Sequence, residues 1–383
     1  MGSIDRGAQS GDTFWTRATR DPIVRSFSGV NQLTQPKVTI DHENLRHNVS
    51  TLSTRIAPAK VMMAVKTNAY GHGLVEVSQT ALSSGAAALA VLEVSSGVAL
   101  RDQGITAPLF AWLLGDADDF TQAAQHDIDL GISSASELAM AAQASTAGRR
   151  ISVHLKIDTG LTRNGAPEQL WPQLCAEAAA LQNDGQVTVT GIWSHLADAS
   201  PADDDDSLRI FRSAVDVAQN AGLEPSVFHL GASSAGLRFP QSHLDFVRFG
   251  IAAYGISPFE HLTAADLDLR PVMTLTAPVV GVDGESLIVG AGYGHGVLVG
   301  EHPDRHVVIC GERWHVLSLD VDSMRVLGPR KNARDLEEMR GETAFIFGDG
   351  GPSAEVLGAW CGTIGDEVVT SVSSLLHRDH VHR

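Results

Sequence analysis

Residues Val61–Gly73 read VMMAVKTNAYGHG. Five consecutive apolar residues, Val61–Val65, are typical of a strand that is buried on both faces of a parallel sheet. Lys66 follows this run, and beyond a glycine-containing loop lies LVEVSQTALSSG, whose apolar residues recur at intervals of three and four. The pattern predicts one βα unit, in which a lysine stands directly at the end of the strand.

The same unit recurs along the chain. Eight strand-like runs alternate with amphipathic helical patterns: Val61–Val65, Ala86–Leu92, Pro108–Leu113, Asp127–Ile132, Ile151–Ile157, Val187–Trp193, Ser226–Leu230 and Leu244–Phe249. Eight βα units fit a (β/α)8 barrel, which typically needs about 250 residues. An open doubly wound sheet is the alternative, but no G-x-G-x-x-G motif follows the first strand.

The pattern changes on both sides of this region. Residues 1–36 show little periodicity and predict an N-terminal extension. After Arg270 and Pro271 the segments are short, β-branched and separated by Gly or charged turns, as in TLTAPVVGVD and GDEVVTSVSSLL, and only AEVLGAWCG indicates a helix. We therefore expect an α/β fold with a barrel at 37–264 and a mainly antiparallel β domain at 265–383.

Composition excludes several classes of protein. The 383 residues include 28 Lys and Arg against 45 Asp and Glu, a net charge of −17. A chain this acidic repels phosphate backbones and anionic lipids, so we expect neither nucleic-acid nor membrane binding. No apolar run approaches the roughly 20 residues that span a bilayer, and no secretory signal is visible. The widely spaced Cys175, Cys310 and Cys361 predict no disulfide framework and no metal site, and favour the cytoplasm.

Lys66 is the first candidate functional residue. In a (β/α)8 barrel the active site lies at the C-terminal ends of the strands. Burial there disfavours the ammonium form of a lysine, and a neutral amine reacts with an aldehyde cofactor. The alternative is a lysine whose amine simply reaches solvent. Polar motifs also follow four later strands: HLKIDTGLTRNG, WSHLAD, FHLGASSAG and FVRFGIAAYG.

The segment AVKTNAYGHG, at Ala64–Gly73, resembles the pyridoxal phosphate (PLP) signature of alanine racemases. Six further motifs resemble this family in the same order: IDHENLRHNV, HLKIDTGLTRNG, HLGASSAGLRFP, VRFGIAAYG, LRPVMTL and GAGYGHG. The resemblance extends from Lys37 to about Val369. It implies a PLP-holding barrel followed by a β domain, and a head-to-tail homodimer in which each site is completed by the β domain of the partner.

The resemblance makes Lys66 the lysine that binds the cofactor. A phosphate also needs a cradle of donors, which the hydroxyl of Ser233 and the backbone N–H groups of Gly250 and Ile251 would supply where a helix begins. Tyr70 would add a phenolic donor. The alternatives are a helix N-cap for Ser233 and a core-packed tyrosine.

Arg248 occupies the position of the family residue that faces the pyridine nitrogen. An arginine stays protonated, so the ring nitrogen would accept a hydrogen bond and carry no proton itself. The ring is then a weaker electron sink, which favours reprotonation at Cα over transamination. A structural ion pair is the alternative. His195 resembles the residue that packs near this ring, and a core histidine with satisfied hydrogen bonds is the alternative there.

Racemisation needs two acid/base groups, one on each face of the substrate Cα. The resemblance implies Lys66 for one face and Tyr293, in GAGYGHG, contributed by the other subunit, for the opposite face. A phenol is a poor base at neutral pH, so nearby cations must assist it. Without the resemblance, a tyrosine flanked by glycines is more often a turn or core residue.

Four further residues are assigned to the substrate. The fork of Arg163, in the DTGLTR motif, suits a carboxylate. Lys156 matches the lysine that is carbamylated in many family members and orients that arginine. Leu319 and Asp320 resemble β-domain residues near the substrate carboxylate and the entry path, with a polar surface strand as the alternative.

The chain departs from the family pattern on the phosphate and substrate sides. Asp366 replaces a phosphate-binding tyrosine, and a carboxylate repels a phosphate dianion, so we expect a shifted loop or a compensating donor. Ala232 replaces an asparagine beside the phosphate serine. His295 replaces an aspartate two residues after Tyr293, and Ser318–Leu319 replaces Cys-Met.

These observations predict a PLP-dependent racemase of L- and D-alanine that uses two bases. The departures leave a fold-related PLP enzyme open, one that acts on a different or larger amino acid as another racemase, a retro-aldolase or a decarboxylase. A PLP carrier without turnover is a third hypothesis, against which Arg163, Tyr293 and the β domain speak. We expect the acidic run Asp203–Asp206 to be a solvated loop and the tail with His377, His380 and His382 to be frayed.

Overall fold

The computed structural model describes residues 35–115, 117–145, 149–198, 200–329 and 333–382. Strand β1 (Lys37–Asp41) and helix α1 (His42–Ile56) come first. Eight parallel strands then close into a barrel: β2 (Lys60–Ala64), β3 (Ala86–Glu93), β4 (Leu109–Leu113), β5 (Ile128–Ile132), β6 (Ile151–Lys156), β7 (Val187–Trp193), β8 (Val227–His229) and β9 (Phe246–Phe249). Each strand overlaps one of the predicted runs, and the barrel prediction is confirmed.

Helices follow the barrel strands. They are α2 (Lys66–Tyr70), α3 (Leu74–Ser83), α4 (Val94–Asp102), α5 (Ala117–Gln125), α6 (Ala135–Ala144), α7 (Trp171–Asn183), α8 (Pro201–Asn220) and α9 (Ser233–Arg238). Their apolar faces cover the barrel strands, whose residues are mostly buried on both faces. This covering is why the strands read as continuous apolar runs.

The C-terminal part forms the second sheet. Its elements are β10 (Met273–Asp283), β11 (Ser286–Val289), β12 (His306–Ile309), β13 (Glu312–Leu319), β14 (Met324–Leu327), α10 (Ala333–Glu338), β15 (Thr343–Phe347), α11 (Ala354–Trp360), α12 (Gly365–Ser371) and β16 (Arg378–Val381). The strand order is β11-β14-β13-β12-β15-β10-β1-β16, and all pairs except β1–β16 are antiparallel. The expected mainly antiparallel sheet is therefore confirmed.

Strand β1 joins this second sheet, although the predicted domain limits of 37–264 and 265–383 assign it to the barrel. It pairs with β10 on one side and β16 on the other. The physical reason lies in its pattern, since Val38 and Ile40 are buried and alternate with more exposed residues. Alternation of this kind suits a half-exposed antiparallel strand. The limits themselves stay a prediction, and residues 1–34 of the expected extension lie outside the described residues.

Helix α12 replaces the strand that its β-branched residues indicate. Its buried Val368 and Val369, with Val372 just beyond, lie on one side, and the helix packs against α11 and α2. Burial of this face outweighs the weak intrinsic preference of valine for strands.

The segment with His377 and His380, expected to be frayed, is also ordered. His380 lies in β16, and its Nδ1 is 2.8 Å from Nε2 of the buried His42. In the ranges that the structure describes, no helix has the length and apolarity to cross a membrane.

Candidate active site

A cavity of about 640 Å³ opens at the C-terminal ends of the barrel strands. Its wall brings together most of the residues that the sequence assigns to a cofactor and a substrate: Lys66, Tyr70, Lys156, Arg163, His195, Ser233, Arg248, Gly250 and Ile251. These residues follow or end strands β2, β6, β7, β8 and β9. The barrel therefore gathers at one place side chains that are almost 200 positions apart in the sequence.

Lys66 opens a turn of unusual handedness. The four residues Thr67–Tyr70 all have φ between 52° and 54°, and none of them is glycine. The N–H of Gly71 donates to the carbonyl of Thr67 at 2.9 Å and closes the turn. A left-handed conformation costs roughly 1–2 kcal/mol per L-residue, and such strain is concentrated at functional sites. The turn directs Tyr70 back toward the lysine, so that Nζ of Lys66 lies 5.3 Å from the centre of its ring.

The residues that the sequence predicts for a phosphate cradle come from three elements. Ser233 begins α9, Gly250 follows β9, and Tyr70 ends α2. The backbone N–H of Gly250 donates to Oγ of Ser233 at 3.1 Å. A methyl group at position 250 would lie 2.4 Å from the Tyr70 hydroxyl oxygen. The cradle thus holds two hydroxyl groups beside a backbone that only glycine fits.

Arg248 is buried and held in one orientation by four hydrogen bonds. It donates through Nη1 to Nδ1 of His229 at 2.8 Å. Through Nη2 it donates to the carbonyls of Ser194 (2.8 Å) and Leu230 (3.1 Å) and to Nδ1 of His195 (3.0 Å). Burial, with a smaller contribution from Arg163, lowers the pKa of Arg248 to about 9. The guanidinium remains a cation at neutral pH and presents a fixed donor to the cavity.

The histidines beside Arg248 are neutral. Burial, together with repulsion from Arg248, lowers the pKa of His195 to about 2 and moves that of His229 well below its ordinary value. Because Nδ1 of His229 accepts from Arg248, its Nε2 carries the proton and donates to Nδ1 of His154 at 2.8 Å. Asp129 lies beyond, 3.4 Å from Nε2 of His154.

This buried series of side chains behind Arg248, formed by His229, His154 and Asp129, was not predicted. Both of its histidines stand in quoted motifs, His154 in HLKIDTGLTRNG and His229 in FHLGASSAG. A histidine at a position that faces the inside of an otherwise apolar strand is the signal that could have found them.

Lys156 lies in a strongly cationic corner of the cavity. Burial first, and then Arg248 and Arg163, lower its pKa to about 7. The ammonium donates to Oδ1 of Asn164 and lies 4.3 Å from the centre of the Trp193 ring. A large fraction of this lysine is therefore neutral amine at physiological pH.

Arg163 is exposed and belongs to the loop that follows β6. Oδ1 of Asp158 accepts hydrogen bonds from the N–H groups of Gly160 and Thr162, both at 3.0 Å, which fixes the loop.

Asp366, which stands where the family pattern has a tyrosine, also lines this cavity. It stands in the first turn of α12. Burial raises the pKa of its carboxyl, while Lys66 acts in the opposite direction. The carboxylate in turn adds to the effect of burial in raising the pKa of Tyr70 well above its ordinary value. The carboxyl of Asp366 therefore lies close enough to Tyr70 to affect the pKa of its phenol.

Tyr293, Leu319 and Asp320 belong to the C-terminal part, where Leu319 ends β13, Asp320 follows it and Tyr293 begins a 3-10 turn after β11. Among the residues that the structure describes, Tyr293, Leu319 and Asp320 lie outside the wall of the cavity that contains the other predicted site residues. The N–H of Tyr293 donates to the carbonyl of Asp320 at 2.9 Å, and the side chain of Tyr293 is 48% exposed. Nδ1 of His295 accepts from the N–H of Gly292 at 3.2 Å, so His295 stabilises the tyrosine turn. One chain thus presents the predicted site residues in two groups.

Two aspartates, Asp198 and Asp204, hold helix α9, which carries Ser233. Arg238 donates to Asp198 and, at 2.8 Å, to Oδ2 of Asp204, and the hydroxyl of Ser234 also donates to Asp198. Asp204 is buried and belongs to the acidic run at the start of α8. The expectation that Asp203–Asp206 forms a solvated loop is therefore wrong, because the run begins a helix and one member pairs with Arg238.

Comparison with known proteins agrees with this architecture. Residues 40–258 match the family model described as alanine racemase, N-terminal domain. The alanine racemase of Frankia casuarinae is 35% identical over 365 residues, which cover 89% of this chain and 95% of the relative. That of Salinispora arenicola is 42% identical over 265 residues, covering 68% and 70%.

The chain is also similar to solved structures of alanine racemases. The alanine racemase from the D-cycloserine-producing Streptomyces lavendulae superposes with a TM-score of 0.85 at 32% identity, covering 91% of this chain and 98% of that one. The enzyme from Streptomyces coelicolor also gives 0.85 at 32% identity.

The relatives named alanine racemase identify the chain as an isomerase that is built from a barrel and a second sheet. The chain belongs to the alanine racemase family.

Proposed function

We propose that this chain is a PLP-dependent racemase that interconverts L- and D-alanine. The observation that carries the proposal is the cavity at the barrel mouth, whose wall holds Lys66, Arg163 and Arg248 together. PLP chemistry on an amino acid needs a reactive amine, an arginine fork that binds the carboxylate, and a fixed hydrogen-bond donor to the pyridine nitrogen. The family relationship supports the same assignment.

The residues present fit the cofactor. The cradle of Ser233, Tyr70 and Gly250 leaves no space for a side chain at position 250, as a close approach of a phosphate requires. Arg248 would face the pyridine nitrogen as a donor, and His195 would lie beside the ring. When bound, PLP supplies an aldehyde for condensation with amines and withdraws electrons from the bonds at Cα.

The side chains of the cavity divide the remaining tasks. Arg163 would hold the substrate carboxylate, and Lys156 would orient Arg163. We propose that Lys156 is carbamylated, because carbon dioxide reacts with a neutral amine and the pKa of Lys156 is lowered to about 7. Carbamylation would also turn a cation beside two arginines into an anion, which relieves the repulsion there.

Lys66 would exchange the Cα proton on one face of the substrate. We propose that the partner's Tyr293 serves the opposite face, with Leu319 and Asp320 beside the entry, in a head-to-tail homodimer. Exposed apolar side chains in the C-terminal part support an interface there, since Val299, Leu317 and Val321 are 69%, 47% and 56% exposed. The carbonyl of Val321 accepts from the N–H of Gly294 in the tyrosine turn. We also propose a cytoplasmic location, because the cysteines are free thiols, as is usual in a reducing compartment.

Chiral analysis of a panel of amino acids, incubated with the PLP-loaded enzyme in deuterium oxide, tests the proposal. We expect inversion of L- and D-alanine with deuterium at Cα. Products of C–C cleavage or decarboxylation, in place of inversion, would support the alternative enzyme class. PLP retention without any turnover would support a carrier and contradict the proposal.

A further inference from the structure

Arg378, the first residue of β16, donates hydrogen bonds to four backbone carbonyls. Nε donates to Gly71 at 3.0 Å, Nη1 to Ser373 and Leu376 at 2.6 Å each, and Nη2 to Val372 at 2.9 Å. Gly71 is some 300 positions away in the sequence from the other three acceptors. One guanidinium therefore joins two distant segments of the chain.

The first of these segments is the turn that carries Lys66. Gly71 closes this turn through its N–H bond to Thr67, and its φ of +79° requires a left-handed backbone. A Cβ at Gly71 would lie only 3.0 Å from the carbonyl oxygen of Val369, so the turn packs directly on the end of α12. Arg378 bonds the turn at the point where it meets that helix.

The second segment, at residues 371–376, is hydrogen-bonded to the turn that carries Tyr293. The hydroxyl of Ser371 donates to the carbonyl of Gly296 at 2.9 Å, and the N–H of Ser373 donates to the carbonyl of His295 at 3.1 Å. The N–H of Gly296 closes the tyrosine turn by donating to the carbonyl of Tyr293 at 3.0 Å. Residues 371–373 thus hold the tyrosine turn through the hydrogen bonds of Ser371 and Ser373.

We propose that Arg378 is a positioning residue that fixes the turn of Lys66 relative to the turn of Tyr293 within one chain. The inference rests on the proposed function, in which these two residues serve different active sites of the homodimer. Each Arg378 then connects the acid/base lysine of its own site with the acid/base tyrosine of the other site. Loss of the guanidinium releases both turns at once.

Arg101 provides a matched control. It also donates to four backbone carbonyls, those of Ile105, Ala107, His126 and Asp127, at 2.7–2.9 Å. Both arginines are partly buried, and burial lowers the pKa of both. Arg101 joins the loops that precede β4 and β5, at the opposite end of the barrel from the cavity.

The test compares Arg378→Ala and Arg101→Ala as PLP-loaded enzymes. We expect Arg378→Ala to lower kcat about tenfold or more in both directions with little change in KM, because small displacements of catalytic groups can cost ~10²-fold in rate. Free guanidinium should restore part of this activity. Arg101→Ala should lower Tm by a similar amount and leave kcat unchanged. The proposal would be overturned if Arg378→Ala and Arg101→Ala had the same kcat and lost the same amount of Tm.

Amide hydrogen exchange gives a readout that does not depend on activity. In Arg378→Ala the amides of Gly71 and Gly296 should both exchange faster, whereas Arg101→Ala should leave them unchanged. If the wild-type enzyme racemises nothing, the proposed function fails, and the exchange data alone decide whether the two turns are linked. Faster exchange at Gly71 only would contradict the link. If Arg378→Ala does not fold, Arg378→Lys, which retains one donor group, is measured in the same way.

Discussion

A Cβ atom at Gly250 would lie 2.4 Å from the hydroxyl oxygen of Tyr70 and 3.2 Å from Cζ of its ring. Tyr70 is buried and ends a strained left-handed turn, so it has little freedom to withdraw. Gly250 therefore leaves no space for a side chain beside the Tyr70 hydroxyl in the proposed phosphate cradle.

Replacement of Gly250 by alanine should displace Tyr70 and fill the cradle. We expect the Kd of the apoenzyme for PLP to rise about tenfold or more, equivalent to about 1.4 kcal/mol. Equilibrium dialysis of PLP against the apoenzyme measures this change. Gly281→Ala is the control, because its added Cβ would meet neighbours only at 3.5–3.8 Å. Unchanged PLP affinity in Gly250→Ala would show that the cradle is elsewhere.

Asp366 should make cofactor binding depend on pH. Burial raises the pKa of its carboxyl above the ordinary value of about 3.9. Above the raised pKa the carboxylate is charged and repels a phosphate, and below it the neutral acid does not. The PLP affinity of the apoenzyme should therefore rise as the pH falls through this pKa.

Asp366→Asn should bind PLP more tightly than the wild type at neutral pH and lack this part of the pH dependence. Titration of apoenzyme with PLP at several pH values measures both effects. The exposed neighbour Glu367 provides the control Glu367→Gln, which should behave like the wild type. A wild-type affinity that falls on acidification in step with Asp366→Asn would contradict the assignment.

Tyr293→Phe should fold normally, because the lost hydroxyl belongs to a half-exposed side chain. Removal of one of two proton-transfer groups should lower the racemisation rate by about 10²–10⁴-fold. Exchange of the Cα proton should survive from one enantiomer of alanine and be suppressed from the other. Deuterium incorporation followed separately for L- and D-alanine measures this asymmetry. Racemisation at the full rate would exclude Tyr293 as the second base.

Asp204→Ala should destabilise the fold through α9. It leaves the partly exposed Arg238 with one acidic partner fewer, and we expect a loss of about 1–3 kcal/mol in the free energy of unfolding. Asp206→Ala removes an exposed i,i+3 pair with Arg209 from the same acidic run, and such pairs contribute about 0–1 kcal/mol. Urea denaturation compares the two variants, and equal losses would show that burial of Asp204 adds nothing.

The sequence predicted the barrel well because its strands are buried on both faces. Runs such as Val187–Trp193 therefore carry a strong apolar signal, and the strand has the predicted bounds. The pairing of strand β1 was not predicted, because its partners β10 and β16 lie more than 200 residues away and local pattern does not encode partners. Helix α12 was missed because contacts with α11 and α2 outweigh the propensity of its valines.

Nine of the residues that the sequence assigned to a site line one cavity, but the geometry of that cavity was not predicted. The position of Lys66 at the end of a strand and the family resemblance at Arg248 indicated these two residues, and both line the cavity at the barrel mouth. The left-handed turn at Thr67–Tyr70 contains no glycine, so no residue type in it indicates a positive φ. The burial of Asp204 was missed for a different reason, since its partner Arg238 lies 34 positions further along and only tertiary structure brings them together.

The parallel pairing of β1 with β16 has a consequence for biosynthesis. Lys37 and Asp379 form an ion pair at 3.0 Å, so the two strands meet only after nearly 340 intervening residues have left the ribosome. Both edges of β1 stay uncovered until β10 has emerged, and one edge stays uncovered until β16 follows. Uncovered edges invite wrong partners. A nascent chain of this protein should therefore depend on chaperone protection of its first strand longer than of any barrel strand.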